Sequence, residues 1–150
     1  MGIHNAWDWT KDRSNRWLVP SEDSYYLLHR WKELGFLRLL DLGCGRGRHA
    51  VLFAKNGFDV SAIDLSSESV KELSEYSKHK NLNIQCDVAD MTSLPYPDDS
   101  FDCLMEYHSI YHSNRAGVTK ALSEIRRVVR KGGEVFRNVR FKQNFGILSK

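Results

Sequence analysis

The sequence predicts an α/β domain in which a doubly wound parallel sheet carries helices on both faces. Short apolar runs alternate with segments of helical periodicity through most of the 150 residues, a pattern typical of βαβ units. The apolar run at 39–42 leads into Gly43, Gly45 and Gly47, and a helical segment follows directly. Strand, glycine turn and helix in this order are typical of a nucleotide-binding unit, whose helix begins at the ligand.

Residues 1–37 are predicted to pack on this domain as an aromatic segment followed by one helix. The polar and aromatic stretch before Pro20 contains Trp7, Trp9 and Trp17. These tryptophans either cover apolar surface or form a lid whose aromatic rings close on a ligand, and the sequence leaves both interpretations open.

The helix of this N-terminal region is predicted from the N-cap candidate Ser21 to about residue 34, where Gly35 ends it. Its predicted apolar stripe consists of Tyr25, Leu27, Leu28 and Trp31.

The remaining elements belong to the main domain at 38–150, and the whole chain is predicted to form a single domain. Strands are predicted at 38–42, 59–65, 83–88, 101–107 and 134–141. Helices are predicted at 48–56, from Ser66 or Ser67 to about 80, and at 114–130, the last one ended by Gly132 and Gly133. Pro95 and Pro97 exclude regular helix between the third and fourth strands.

Several polar or glycine-rich positions follow directly after predicted strands. In a parallel sheet the carboxyl ends of the strands lie along one edge, and ligands bind where the strand order reverses. The glycine turn, Asp64, Asp90 and Tyr107 all lie at such ends. We therefore expect them to converge on one crevice.

The ligand of this crevice is predicted from two acidic residues and the glycine spacing. Asp64 ends the second strand 19 residues after Gly45, a position from which a carboxylate accepts hydrogen bonds from two ribose hydroxyls. The third glycine comes one residue earlier than in dinucleotide sites, and Asp41 before the turn would repel a diphosphate. A nucleoside that carries an ammonium group fits better than NAD, so a nicotinamide-dependent oxidoreductase is disfavoured.

The composition is that of an ordinary globular protein, with 41% hydrophobic and 27% charged residues and a net charge of +3. Basic residues crowd the last quarter, but a solvated helix face explains them better than a nucleic-acid site. The cysteines at 44, 86 and 103 have no metal-binding spacing and predict buried reduced thiols, as in a cytoplasmic protein. No apolar run is long enough to span a membrane, and no metal site is expected.

Four stretches in order resemble the signatures of class I S-adenosylmethionine-dependent methyltransferases. They are the glycine turn at 39–47, the second strand with its acid at 60–66, the loop and fourth strand at 89–102, and the turn at 125–134. The resemblance covers roughly 39–135. It is closest to the small-molecule branch, because 107–112 stands where that branch often has a hydrophobic segment ending in paired histidines.

The resemblance implies a Rossmann-like sheet with strand order 3-2-1-4-5, S-adenosylmethionine as cofactor and S-adenosylhomocysteine as product. The implied reaction is methyl transfer to a small-molecule acceptor by in-line displacement. For the nucleoside part of the cofactor, it implies that Asp64 binds the ribose and Leu65 packs on the adenine. Asp90 would take the adenine amino group, with Met91 beside it offering backbone contacts or packing.

For the methionine part, the resemblance implies contacts with the glycine turn and with the end of the fourth strand. Asp41 would lie near the cofactor amino group, directly or through water. The other implied residues are Gly43, Cys44 and Gly45 along the methionine chain, and Glu106 and Tyr107 facing that chain and the transferring methyl.

No catalytic residue is predicted firmly, because a base is needed only if the acceptor atom is protonated. His108 and His112 are weak candidates for that base, and a structural hydrogen-bonding role is the commoner one for such histidines. Trp17 and Tyr25 are weak candidates for the pocket wall or for cation–π contact with the sulfonium.

The chain departs from the family pattern after the fifth strand. The usual last two strands are missing, so the domain is expected to be C-terminally truncated, and Lys131 replaces the proline that usually precedes the glycine pair. An uncovered fifth strand would be prone to aggregation unless another copy of the chain pairs with it, the N-terminal segment buries it or its basic residues prevent pairing. A homodimer formed through that edge is favoured. The alternative function is a cofactor-binding module that is inactive alone and acts through an interaction.

Overall fold

The structure is a computed structural model that describes residues 6–9, 11, 13–110, 113–138 and 148–149. Its strands form one sheet in the order β3-β2-β1-β4-β5-β6. They are β1 (Arg38–Leu42), β2 (Asp59–Asp64), β3 (Ile84–Val88), β4 (Phe101–Tyr107), β5 (Val129–Asn138) and β6 (Leu148–Ser149). The first five strands are parallel to one another, so the predicted order 3-2-1-4-5 is confirmed.

The helices lie at or near their predicted positions. They are α1 (Glu22–Glu33), α2 (Arg48–Lys55), α3 (Ser67–His79) and α4 (Arg115–Val128). Side-chain caps explain two of the starts, since Ser66 accepts from the backbone of Ser69, and Asn114 accepts from Gly117. No helix within the described ranges is long and apolar enough to cross a membrane.

Buried side chains form two clusters, one on each face of the sheet. The first contains residues of α1 and α2 such as Trp31 and Phe53, packed on alternate residues of β1, β2 and β4. The second contains Ile125 and other residues of α4, with Met91 and Leu94 from the loop after β3, on the opposite set of strand residues. Alternation along the strands therefore supplies both layers, as in a doubly wound sheet.

The N-terminal helix differs from its prediction on one flank. Leu27 and Trp31 are buried as expected, but Tyr25 is 54% exposed. The buried stripe of the helix is narrow and is centred on Trp31. The Trp31 ring lies 5.5 Å from that of Phe53, and its Nε1 donates to Glu134 at 2.9 Å. Tyr25 is thus outside both the core and the cavity described below.

The glycine pair near the C-terminus was predicted wrongly as a helix stop. Helix α4 ends at Val128, and β5 begins at the next residue, so Gly132 and Gly133 lie inside the strand. The register of β4 against β5 shifts between Phe101 and Cys103. A Cβ at Gly133 would approach the carbonyl oxygen of Asp102 to 2.6 Å, so the glycine permits close passage of the two backbones.

The edge of β5 is not bare over its whole length, which corrects a second expectation. β6 pairs antiparallel with β5, joining Ser149 to Glu134 and Leu148 to Val135. The predicted continuation of β5 to residue 141 falls outside the described residues beyond Asn138.

Candidate functional site

A cavity of about 660 Å³ lies at the carboxyl ends of β1, β2 and β4, where ligands of such sheets bind. Its walls come from the N-terminal segment, the glycine turn, the end of β2, the loop after β3 and the end of β4. The lining residues are Ala6, Trp7, Trp9, Arg16, Trp17, Gly43, Cys44, Gly45, Arg46, Arg48, His49, Ile63, Asp64, Leu65, Ala89, Met91, Tyr107, His108 and Ser109. Most of the predicted site residues therefore meet in one place.

The glycine turn forms the floor of the cavity. Gly43 and Gly45 have φ values of +72° and +53°, a region that glycine adopts most readily. A Cβ at Gly43 would overlap Ser109, and one at Gly45 would overlap the Trp9 ring. Cys44 between them donates its backbone N–H to Ile63 at 2.8 Å, and burial raises the pKa of its thiol well above the ordinary value. The turn is thus closely packed against both neighbouring strands.

Asp64 connects the glycine turn to the start of α3. Its Oδ2 accepts from the backbone N–H of Gly45 at 2.8 Å, and its Oδ1 accepts from Ser66 at 2.9 Å. These two bonds fix the orientation of the carboxylate at the end of β2. The side chain is partly exposed and lies on the cavity wall.

Asp41 lies beneath the turn and does not line the cavity. The side chain is 2% exposed, and its Oδ2 accepts from the backbone N–H of Ala50 at 3.0 Å, in the first turn of α2. Burial raises the pKa of Asp41 to about 7, although the Ala50 N–H and the charge of Arg48 oppose this shift. Its ionisation therefore depends on what charge lies nearby.

An apolar wall follows the end of β2 and the loop after β3. Ile63, Leu65, Ala89 and Met91 line it. Asp90 does not, because its Oδ1 accepts from the backbone and hydroxyl of Thr92, at 2.8 Å and 2.7 Å, and stabilises the loop. This wall provides a slot suited to a flat apolar ring.

The end of β4 places one predicted residue on the cavity and another beneath it. Tyr107 lines the cavity. Glu106 is fully buried, and its Oε1 accepts from the backbone N–H and hydroxyl of Ser109 and from the N–H of Ile110, at 2.7–2.9 Å. Glu106 therefore shapes the loop after β4. His108 lines the cavity with a φ of +63°, whereas the other candidate base, His112, lies outside the described residues.

The N-terminal aromatic segment covers the glycine turn. Trp9 packs on Gly45, and its ring centre lies 5.6 Å from that of Trp17 in an edge-to-face arrangement. Arg13 ties the segment to α3 through a 3.3 Å bond to Glu72. The Nε1 of Trp9 is buried and has no acceptor among the described residues.

Arg48 and His49, at the start of α2, are cavity residues that the sequence patterns did not single out. The Nε2 of His49 accepts from the backbone N–H of Ser21 at 3.1 Å and also lies 3.1 Å from its hydroxyl. Burial, with the charges of Arg48 and His108, lowers the pKa of His49 to about 3. The only sequence signal for these residues was their position directly after the glycine turn.

Comparison with known proteins identifies the family of the chain. Residues 39–133, more than half of the chain, match the family described as methyltransferase domain. The chain is 32% identical over 97 residues to the uncharacterized methyltransferase YcgJ of Bacillus subtilis, covering 64% of this chain and 38% of that protein. It is 34% identical over 102 residues to the 27-O-demethylrifamycin SV methyltransferase of Amycolatopsis mediterranei, covering 65% and 36%.

Solved structures resemble the chain over a larger part of its length. The [4+2]-cyclase SpnF superposes with a TM-score of 0.66 at 27% identity, covering 88% of this chain and 49% of that one. In these matches the chain spans less than half the length of its relatives. The resemblance to class I S-adenosylmethionine-dependent methyltransferases is confirmed, and the chain belongs to the methyltransferase domain family.

Proposed function

We propose that the cavity binds S-adenosylmethionine and that the protein transfers its methyl group to a small-molecule acceptor, leaving S-adenosylhomocysteine. The observation that carries this proposal is the position of Asp64, a carboxylate held by the N–H of Gly45 on the wall of a 660 Å³ cavity. A vicinal diol is the natural partner of a carboxylate placed in this way.

The residues present fit the nucleoside part of this cofactor. Asp64 would bind the ribose hydroxyls, and Leu65 and Met91 would enclose the adenine in the apolar slot. Asp90 lies behind the cavity wall. The backbone beside Met91 would therefore be closer to the adenine amino group than the Asp90 carboxylate. The buried Nε1 of Trp9 supports a ligand here as well, because an unpaired buried donor is costly unless a ligand supplies an acceptor.

The methionine part would lie on the floor formed by Gly43, Cys44 and Gly45, where an added side chain would leave no room. This floor separates Asp41 from the cavity. Asp41 would therefore interact with the cofactor amino group through a water molecule or through the electrostatic attraction of its charge. Glu106 would act as a positioning residue, since its bonds to Ser109 fix the loop beside Tyr107.

When bound, the cofactor supplies an electrophilic methyl group, so the protein has to align the acceptor and exclude water. Trp9 and Trp17 would close the cavity from one side and Tyr107 from the other. His108 is the one described candidate for a base. His49 is unsuited to that role, because its Nε2 already accepts from Ser21.

The alternative is a domain that binds the cofactor but acts through an interaction or another reaction. One observation supports this alternative, since the structural neighbour SpnF is named as a cyclase. Incubation with methyl-labelled S-adenosylmethionine and a panel of metabolites separates the two. We expect a labelled product with the wild type and none with Asp64→Ala at limiting cofactor. Binding of the cofactor without transfer to any acceptor would favour the alternative.

We also propose a homodimer in the cytoplasm. Among the described residues, β6 pairs with Glu134 and Val135 of β5, and another copy would pair with strand positions 136–138. Three free cysteines, two of them buried, support a reducing compartment. Sedimentation at several protein concentrations tests the dimer, which a single monomeric species throughout would contradict.

A further inference from the structure

We propose that Arg48 binds a carboxylate at the cavity, an inference that rests on the proposed function. Two molecules could supply this carboxylate, namely the methyl acceptor or the amino-acid part of the cofactor.

Arg48 is held by aromatic rings. It is the first residue of α2, directly after the glycine turn, and its guanidinium carbon lies 5.0 Å from the centre of the Tyr107 ring and 5.4 Å from that of Trp17. The attraction between a guanidinium charge and a ring needs no N–H donor, so these contacts are compatible with hydrogen bonds from the five N–H groups to a ligand. Its Nη1 donates to the carbonyl of Val19 at 3.2 Å. The side chain is thus oriented before any ligand binds.

The edge of an oriented guanidinium is suited to a planar anion. Its N–H groups match the two oxygens of a carboxylate, and such paired bonds are stronger than bonds between neutral groups. The rings of Trp17 and Tyr107 would also provide an apolar border for the body of the ligand.

No carboxylate within the described part of the chain forms an ion pair with Arg48. The arginines that line the cavity are Arg16, Arg46 and Arg48, whereas Asp64 is the one acidic residue in the described lining. Arg46 differs from Arg48 in that it lies 3.7 Å from a carboxylate of the chain, Glu72, although its Nε and Nη1 have no hydrogen-bond acceptor among the described residues. Arg48 is half-buried, and this burial lowers its pKa, although the nearby Tyr107 and Asp41 oppose the shift. A ligand carboxylate would offset this loss of hydration.

The charge distribution implies selectivity for the acceptor. A cationic acceptor would meet Arg16, Arg48 and the positive sulfonium of the cofactor together, which is unfavourable. An anionic acceptor would be attracted by all three. The acceptor class that fits is therefore a small molecule with a carboxylate and a planar or apolar body.

The experiment uses three probes of similar shape, of which one is anionic, one neutral and one cationic. Benzoate, benzamide and benzylamine are titrated by calorimetry into protein saturated with S-adenosylhomocysteine. We expect benzoate to bind and benzylamine not to bind. Arg48→Gln should weaken benzoate binding at least about tenfold, the value of a lost charged hydrogen bond. Lys120→Gln is the matched control, because it removes one positive charge from an exposed position on α4 and should leave benzoate binding unchanged.

A second pair of ligands identifies the source of the carboxylate. S-adenosylhomocysteine has an amino-acid part, and 5′-methylthioadenosine lacks it. If Arg48→Gln weakens binding of the first and not of the second, the cofactor supplies the carboxylate; if it weakens benzoate alone, the acceptor does. Arg48→Lys keeps the positive charge but loses the paired N–H donors of the guanidinium, so it should give an intermediate loss of affinity. Thermal melting checks that Arg48→Gln and Arg48→Lys both fold.

The proposal is overturned if Arg48→Gln folds and changes neither benzoate binding nor the difference between the two nucleosides. A wild type that does not bind S-adenosylhomocysteine would instead overturn the proposed function, and the inference about Arg48 would fall with it.

Discussion

At the residue scale, Asp41 shows how burial makes a carboxyl group responsive to a ligand. Its pKa is raised to about 7, so near neutral pH it is only partly ionised. A cofactor ammonium close to the turn would favour the ionised form. Below pH 7, binding would then require release of a proton, and affinity would decrease as the pH falls.

The first prediction follows from this linkage. Affinity for S-adenosylhomocysteine should increase several-fold between pH 6 and pH 8 in the wild type. Asp41→Asn, which keeps an acceptor for the Ala50 N–H, should flatten the profile. Calorimetry across this pH range measures the effect, and parallel profiles for the two proteins would show that Asp41 does not sense the cofactor.

Asp64 gives the second residue-scale prediction. Its replacement by alanine removes a charged acceptor and should weaken S-adenosylhomocysteine binding by about 1–3 kcal/mol. Asp59→Ala is the control, because Asp59 is exposed at the opposite end of the same strand. Unchanged affinity in Asp64→Ala would refute the ribose role of this residue.

At the element scale, a glycine of the turn can be compared with another glycine to separate the effect of steric crowding from that of backbone strain. Gly45 and Gly57 both have positive φ, but a Cβ would meet Trp9 at Gly45 and nothing within 4 Å at Gly57. Gly45→Ala should weaken cofactor binding at least about tenfold through crowding, whereas Gly57→Ala should only lower stability by roughly 1–2 kcal/mol. Equal cofactor affinities in the two variants, measured by calorimetry, would contradict the packing described for the turn.

Asp102 connects the amino ends of the central strands through hydrogen bonds. The sequence patterns do not reveal this role. Its carboxylate accepts from the backbone N–H groups of Leu37 and Arg38 and from the side chains of Arg38 and Arg130, at 2.8–3.0 Å. Burial alone would raise the pKa of Asp102, but these bonds hold it well below its ordinary value.

Asp102→Asn should therefore lower the free energy of unfolding by about 2–4 kcal/mol, since it leaves charged donors without a full partner. Asp98→Asn, at an ion pair whose aspartate side chain is 74% exposed, should cost less than about 1 kcal/mol. Urea denaturation of both variants checks the difference, and equal losses would rule out a structural role for the network.

At the scale of the whole molecule, local patterns predicted the elements that depend on local chemistry. The β4 bounds follow from a short, nearly continuous buried run, and the start of α3 follows from the Ser66 cap. The prediction of a helix stop at Gly132 and Gly133 is wrong because these glycines permit a close passage beside Asp102, a contact between distant parts of the chain. For the same reason Arg48 and His49 have no local sequence signal, since their partners Trp17 and Ser21 lie about 30 residues earlier in the sequence.

Calorimetric titration of the wild-type protein with S-adenosylhomocysteine, compared with NAD, tests the proposed cofactor most directly. We predict saturable binding of S-adenosylhomocysteine at a single site and no heat with NAD, because Asp41 and the glycine spacing disfavour a diphosphate. Absence of heat with S-adenosylhomocysteine at millimolar concentration, or tighter binding of NAD, would contradict the proposed function.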